Sequence, residues 1–353
     1  TLNNRLTLVR QIDLAHDTNR QVTIDKEEGQ YLGHPTTVLL EDGRTILCIY
    51  PKGHGKGQLV LKKSTDGGST WSDRLPVPES WSTSKETPHV YQVEDAKGTS
   101  RLILFSSLFP IRMSVSEDDG ETWSELEPIG NYGGIVGMAD VITTGNGAYT
   151  AFFHDDGRFI SNSGKATGLF YVYAVDSTDG GLTWSDPRVV AHDPTVHLCE
   201  PGLIESPDGS RFAMLLRENS RKKNSHICFS DDNGITWSTP VEMDVALTGD
   251  RHQAVYSNDG RLFISFRDTN KNSDTAGDWV GWVGTFEDLE RGRSGDYRVR
   301  LSDNFHSWDC AYPGVEVLTD GTIFTATYGH WDNGKPPYIR GIHLTLEELD
   351  SMF

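Results

Sequence analysis

Cysteine is scarce and scattered. Cys48, Cys199, Cys228 and Cys310 are the four in 353 residues, with no CxxC pair and no metal-ligand spacing, which excludes a disulfide framework or a zinc site built on them. Each lies in or beside a strand-like stretch, so buried free thiols are expected. Basic charge is also in short supply. Lys and Arg total 32 against 51 Asp and Glu, a formal charge of −19, and such a chain does not suit polyanionic partners such as nucleic acid or an anionic membrane. No apolar run reaches the length of a membrane span, and no secretory leader is read. A Pro- or Ser-rich spacer between two halves is missing too. One domain over residues 1–353 is therefore expected, with 36% hydrophobic residues to fill its core.

What the sequence does hold is repetition. Ser230-Asp231-Asp232-Asn233-Gly234-Ile235-Thr236-Trp237 has counterparts beginning at Ser64, Ser116 and Ser177. All four fit Ser-x-Asp-x-Gly-x-Thr-Trp. The chemistry is that of a tight hairpin: Asp accepts backbone N–H groups, Gly takes positive φ, and Trp packs under the loop. The boxes recur about every 50–60 residues, the period of a propeller blade.

Around each box runs the same order of strand, turn, strand, loop and strand. The first unit holds His34 to Leu40, Thr45 to Tyr50 and Gln58 to Lys62, the second Pro88 to Val93 and Leu102 to Phe105. Later units begin at Gly137, Glu200, Arg251 and Asp309, the last two without a box. Six four-stranded units predict an all-β, six-bladed β-propeller. The N-terminal strand, read at Leu6-Thr7-Leu8-Val9, is expected to complete the last blade beside Ile339 to Leu346 and remove an edge. A short helical turn is expected at Glu347 to Met352, and little helix elsewhere.

In a propeller the first strand of each blade lines the channel. The residues at the starts of those strands are His34, His89, Asp140, Glu200, Arg251 with His252, and Asp309 with Tyr312. Loops after the second strands add His54, His154, Arg217, Arg267 and His330. One such residue is more often solvated or structurally bonded than catalytic; the whole set in equivalent positions points to a site. The histidines His34, His54, His89 and His252 lack HxH or HxxxH spacing, so no metal is expected.

The boxes are similar to the Asp-boxes of the sialidase-like (BNR-repeat) family, and the likeness covers nearly the whole chain. Cys199-Glu200-Pro201-Gly202-Leu203-Ile204, followed by Leu215-Leu216-Arg217, resembles that family's blade-four segment. Asp309-Cys310-Ala311-Tyr312-Pro313 resembles the segment that holds its tyrosine nucleophile, and Arg267 stands where it places another carboxylate-binding Arg. The resemblance implies a six-bladed propeller, a glycosidase acting on a terminal, acidic sugar, no cofactor, and a periplasmic or secreted location. Tyr312 and Glu200 would form the nucleophile couple, a neutral phenol suiting an anionic sugar better than a carboxylate would. Arg217, Arg267 and Arg251 would clamp the substrate carboxylate, with His89, Asp140, His252, Asp309 and His330 as further substrate contacts.

Two segments depart from the family. Where it carries Arg-x-Pro, this chain reads Leu32-Gly33-His34-Pro35. Where it carries an Asp acid/base, Tyr50 to Gly57 offers Lys52, His54 and Lys56. His34 and His54 are the candidate proton donors that remain. Two alternatives stay open: a polysaccharide lyase or atypical glycosidase using a channel histidine, and a carbohydrate-binding propeller without turnover.

Overall fold

Six small antiparallel sheets stand in a ring, each with its first strand innermost. The computed structural model describes residues 9–353. From blade one to blade six the inner strands are Thr36–Leu39, His89–Glu94, Ile135–Gly145, Leu198–Glu205, Gly249–Tyr256 and Gly314–Val317. Each pairs outward with the next strand in sequence. The inner strands of neighbouring blades touch all the way round, blade six against blade one included. The protein is a six-bladed β-propeller.

The reason for the ring is where the apolar faces go. Each hydrophobic cluster lies between two adjacent blades. Leu47 and Ile49 of blade one meet Leu102 and Leu104 of blade two, and Phe152 of blade three meets Phe212 and Met214 of blade four. Phe324 and Tyr328 of blade six close the circle on Ile46 and Cys48 of blade one. A lone blade would leave both faces wet, at about 1.5–3 kcal/mol for each large side chain. All four cysteines are free and buried.

The boxes act as dowels between blades. In the first, Asp66 accepts from Ser64 Oγ (2.8 Å), Thr70 N (2.9 Å) and Thr70 Oγ1 (2.5 Å), and Trp71 Nε1 donates to Gly68 O (2.9 Å). The pattern returns around Asp118, Asp179 and Asp232. Trp71, Trp184 and Trp237 each pack on a phenylalanine of the preceding blade: Phe324, Phe105 and Phe152. None of the four boxes lines the central cleft.

Three expectations are corrected. Blade one has three strands instead of four, because the chain after its box leaves the sheet for a 3-10 turn at Glu79–Thr83. Leu6 to Leu8 lie outside the described residues. The strand that completes blade six is Gln21–Asp25, antiparallel to Tyr338–Leu344, while Arg10–Asp13 runs parallel to Tyr297–Ser302 at the rim of blade five. Finally, blade five carries a helix at Phe286–Arg291, capped by Thr285 and Asp288, where blades one to four carry a box. The expected C-terminal turn is the helix Leu346–Asp350, where Thr345 Oγ1 accepts from Glu348 N (3.2 Å).

Candidate active site

Side chains converge at the end of the ring where inner strands begin and second strands finish. In blades four and five the start of the inner strand is bulged. Cys199 pairs with Arg217 but Gly202 with Leu215; Asp250 pairs with Arg267 but Gln253 with Ser265. The extra residue breaks the alternation of facing and swings side chains toward the channel. Glu200 (φ 50°) and Arg251 (φ 56°) hold left-handed backbone there, as does His34 (φ 52°) at the matching place in blade one. Non-glycine residues adopt that conformation at a cost, and such strain concentrates at functional sites.

A cleft of about 690 Å³ opens at this end, lined among others by His34, His54, Glu200, Arg217, Arg267 and Tyr312. At its floor the Tyr312 hydroxyl donates to Glu200 Oε2. Arg217 Nη1 donates to both Glu200 oxygens (3.1 Å each) and reaches the Tyr312 oxygen (3.2 Å). Glu200 is 1% exposed and Tyr312 7%, so water competes little for these bonds. Behind them lies Asp250, fully buried. It accepts from Arg267 Nη2 (2.7 Å) and from both Arg221 Nη groups (2.6 and 2.7 Å), and Arg217 Nε stands 3.3 Å away. Burial pushes the Asp250 carboxyl up, but the charges of Arg217, Arg267 and Arg221 outweigh it and hold it far below the carboxylate range.

That arrangement corrects the expected carboxylate clamp. Arg267 spends its remaining Nη1 on the carbonyls of Trp308 and Cys310, and Arg217 Nη2 donates to Asn219 Oδ1. Neither fork is vacant. Arg251 is 4% exposed, donates to the Ala139 carbonyl (2.6 Å) and does not line the cleft.

On the blade-one side is a chain of aromatic and acidic groups. Gly55 N donates to His34 Nδ1 (3.0 Å), which leaves the proton of the neutral ring on Nε2, 3.1 Å from Tyr328 Oη. The Tyr328 hydroxyl donates to Asp309 (3.0 Å), which also accepts from Tyr31 (2.9 Å) and pairs with His330 Nε2 (3.0 Å). Tyr31 Oη bonds His54 Nδ1 at 2.7 Å. Burial drives His34 well below the ordinary imidazole range. Asp309, raised by burial, is brought far lower by bonds from His54, His330 and Tyr31. His34 is thus a neutral ring with both nitrogens engaged, and Asp309 a fixed anion; neither Asp309 nor His330 lines the cleft itself.

Three more expected contacts lie elsewhere. His89 is buried beside the Gly137 carbonyl (3.4 Å), and His252 Nε2 faces the Leu247 carbonyl (2.7 Å) with its ring stacked on Phe266. Asp140 accepts backbone N–H groups from Leu203 (2.7 Å) and Val141 (2.9 Å). None of these three lines the cleft.

The residue reading also passed over a carboxyl that does line the cleft, Glu86. Its Oε1 accepts from Thr87 N (2.8 Å) and Thr87 Oγ1 (3.1 Å), and it sits against Gly55, whose Cβ would stand 3.1 Å from that oxygen. Burial and the nearby Glu200 charge raise its pKa, outweighing the Thr87 bonds. Lys56, Lys85 and Arg158 complete the rim, with Phe170 stacked on His154.

A propeller with peripheral Asp-boxes and a polar, arginine-rich cleft at the strand ends defines the sialidase-like class. The family of BNR repeat-like domains matches residues 115–324, and the chain belongs to that family. A sialidase of Clostridium perfringens is 24% identical over 269 residues, covering 67% of this chain and 69% of that protein. Among solved structures, a protein of unknown function from Dyadobacter fermentans matches with a TM-score of 0.71 at 18% identity, over 92% of this chain and 97% of that one. The α-L-arabinanase of Penicillium chrysogenum, complexed with arabinobiose, matches at 0.66 and 16%, over 93% and 98%. NanB sialidase from Streptococcus pneumoniae matches at 0.62 and 14%, over 93% and 71%.

Proposed function

We propose that the chain is an exo-acting glycoside hydrolase that removes a terminal acidic sugar, with Tyr312 as nucleophile, Glu200 as its base and Glu86 as proton donor. The observation that carries it is the buried contact of the Tyr312 hydroxyl with Glu200, with Arg217 against both. As the phenol oxygen attacks the anomeric carbon, its proton passes to Glu200, and the Arg217 guanidinium stabilises the phenolate character that develops. The bond to the leaving oxygen breaks as Glu86 protonates it. Water then attacks the glycosyl–tyrosine, Glu86 takes the water proton, and the phenol recovers its own from Glu200. Glu86 suits the donor role better than His34, whose Nε2–H is committed to Tyr328.

The charge of the cleft supports an acidic substrate. Lys56 and Lys85 line it with no carboxylate partner among the described residues, beside Arg158, Arg217 and Arg267, which pair with Asp156, Glu200 and Asp250, in a chain of net charge −19. Such a local reversal concentrates an anionic ligand. The lyase alternative needs a histidine with a free lone pair; His34 has none, which leaves His54, bonded through Nδ1 to Tyr31, as its candidate base in the cleft. A screen of aryl glycosides of sialic acid, its deaminated relative and uronic acids tests the proposal. Release of the aryl alcohol with a saturated sugar is expected. An unsaturated, ultraviolet-absorbing product would point to a lyase, and no turnover of any acidic glycoside to a binding propeller.

A further inference from the structure

Next to the cleft, on the same end of the ring, lies a second cavity of about 380 Å³ at the boundary of blades four and five. That is within the roughly 300–1,000 Å³ of small-ligand sites. Its walls are the loops that follow the second strands of those blades, the ones that carry Arg217 and Arg267. Asp250 joins the two spaces: it pairs with Arg217 and Arg267, which line the cleft, and with Arg221, which lines the second cavity.

The cavity is lined by Arg221, Lys222, Lys223 and Lys271 against the carboxylates of Glu218 and Glu242, the latter accepting from Asn224 N (3.1 Å), with Arg221 paired to Asp250. The buried Glu218 carboxylate accepts the backbone N–H groups of Ser220 (2.8 Å), Lys222 (2.8 Å) and Lys223 (3.1 Å). Burial raises the pKa of this acid, but those bonds outweigh it and hold the carboxylate ionised, fixing the curl of the loop. Arg221 holds left-handed backbone in it (φ 59°), a strained position for a residue other than glycine. Lys222, Lys223 and Lys271 are exposed on the cavity wall and have no carboxylate partner among the described residues. In its wall, Asn270 is 6% exposed and its Nδ2, itself buried, has no hydrogen-bond partner among the described residues, while its Oδ1 accepts from Asn272 N (2.9 Å). A buried amide donor left unpaired costs about 1–3 kcal/mol, which a ligand oxygen would return.

We propose that this cavity is a second saccharide subsite. It takes an anionic sugar, bearing a carboxylate or sulfate, from the chain whose terminal residue occupies the cleft. Lys222, Lys223 and Lys271 meet the anionic group, and a turn of the Asn270 side chain on ligand binding brings its unpaired Nδ2 onto a sugar oxygen. The protein thereby selects an acidic oligosaccharide over an isolated terminal sugar. The subsite rests on the glycan-processing role proposed above but makes a binding claim of its own.

Calorimetry on the full chain carrying Tyr312→Phe, so that no probe is consumed, tests it with three probes. They are tetragalacturonate, a chondroitin sulfate tetrasaccharide and neutral arabinotetraose. At least one anionic probe is expected to bind, the carboxylated or the sulfated one identifying the group preferred, and arabinotetraose to bind at least tenfold more weakly. K222A/K223A/K271A should weaken the anionic probe at least tenfold, and Asn270→Asp, which turns the free donor into an anion of the same shape, should do likewise. Melting curves check that each variant is folded. Undiminished binding in both variants, equal binding of arabinotetraose, or no anionic binding at millimolar concentration would overturn the subsite. If anionic binding follows the lysines while the glycoside screen shows no turnover, the subsite stands and the hydrolase proposal fails. Turnover with unaltered oligosaccharide binding would mean the reverse.

Discussion

Asp250 is the residue on which the arrangement of the site depends, and it was not legible in the sequence. It immediately precedes Arg251, and only the bulge decides which of the two turns toward Arg217 and Arg267. Period-two alternation cannot be carried through an extra residue. Tyr312, Glu200 and Arg217 were legible because each sits in a motif with characteristic neighbours; Glu86 has none. Removing one partner from a buried ionic group strands the others. Asp250→Asn should therefore cost about 3–5 kcal/mol of unfolding free energy by urea denaturation, and an unchanged midpoint would count against its role. For Glu86 the expectation concerns pH. A proton donor must be protonated, and burial raises this carboxyl, so turnover should fall as pH rises through its elevated pKa. Glu86→Gln should lower kcat by roughly 10²–10⁴-fold on glycosides with poor leaving groups and abolish that alkaline limb. A variant that keeps the wild-type pH profile would reassign the donor, with His54 next in line.

At the scale of elements the boxes were the clearest text in the chain, since five fixed residues write one hydrogen-bond pattern four times. Less legible was the substitute for the box in blades five and six. Thr285-Phe286-Glu287-Asp288-Leu289 and Thr345-Leu346-Glu347-Glu348-Leu349 are two copies of a capped helix start. The second was expected as a short turn at Glu347 to Met352; in the first, a single turn of apolar periodicity had too little length to register. The closing strand was misplaced for a related reason: Gln21–Asp25 is short and half-polar, while Leu6 to Val9 alternates better. The glycine of each box presents its bare side to the preceding blade. At Gly120 (φ 85°) a Cβ would stand 2.3 Å from Leu47 Cδ1. Gly120→Ala should cost about 2–4 kcal/mol, adding backbone strain to overpacking. Gly98→Ala is the comparison, with similar φ (82°) and nothing within 4 Å. Equal losses in the two variants would deny the box its part in joining blades.

For the whole molecule, the ring was readable from six repeated units, because units that cannot bury both faces alone must stack. Its inner surface was not, since burial of a carboxyl depends on which blade faces it. Glu316 on the inner strand of blade six accepts from Thr37 of blade one (3.0 Å), and burial raises it to about 7. Asp278, likewise desolvated, is raised to about 7 and Asp140 to about 6. The folded state holds these protons more tightly than the unfolded chain does. Their contribution is complete below the unfolded carboxylate pKa, near 4, and is lost as pH rises through about 6–7. Asp250 and Asp309 act in the opposite direction and lose theirs only in strong acid. The melting temperature should therefore be higher at pH 5 than at pH 8. Glu316→Gln should narrow that difference by raising the value at pH 8; a profile unaltered by the variant would place the dependence elsewhere.

The central claim is that Tyr312 attacks the sugar with Glu200 as its base. Steady-state kinetics of Tyr312→Phe, on the acidic aryl glycoside that the wild-type protein turns over, test it most directly. The substitution keeps ring and shape and removes one hydroxyl. The account predicts that kcat falls by roughly 10³-fold or more while substrate binding survives. A structural partnership would instead cost about 1 kcal/mol of stability with activity largely kept. Near-normal turnover in Tyr312→Phe would contradict the account.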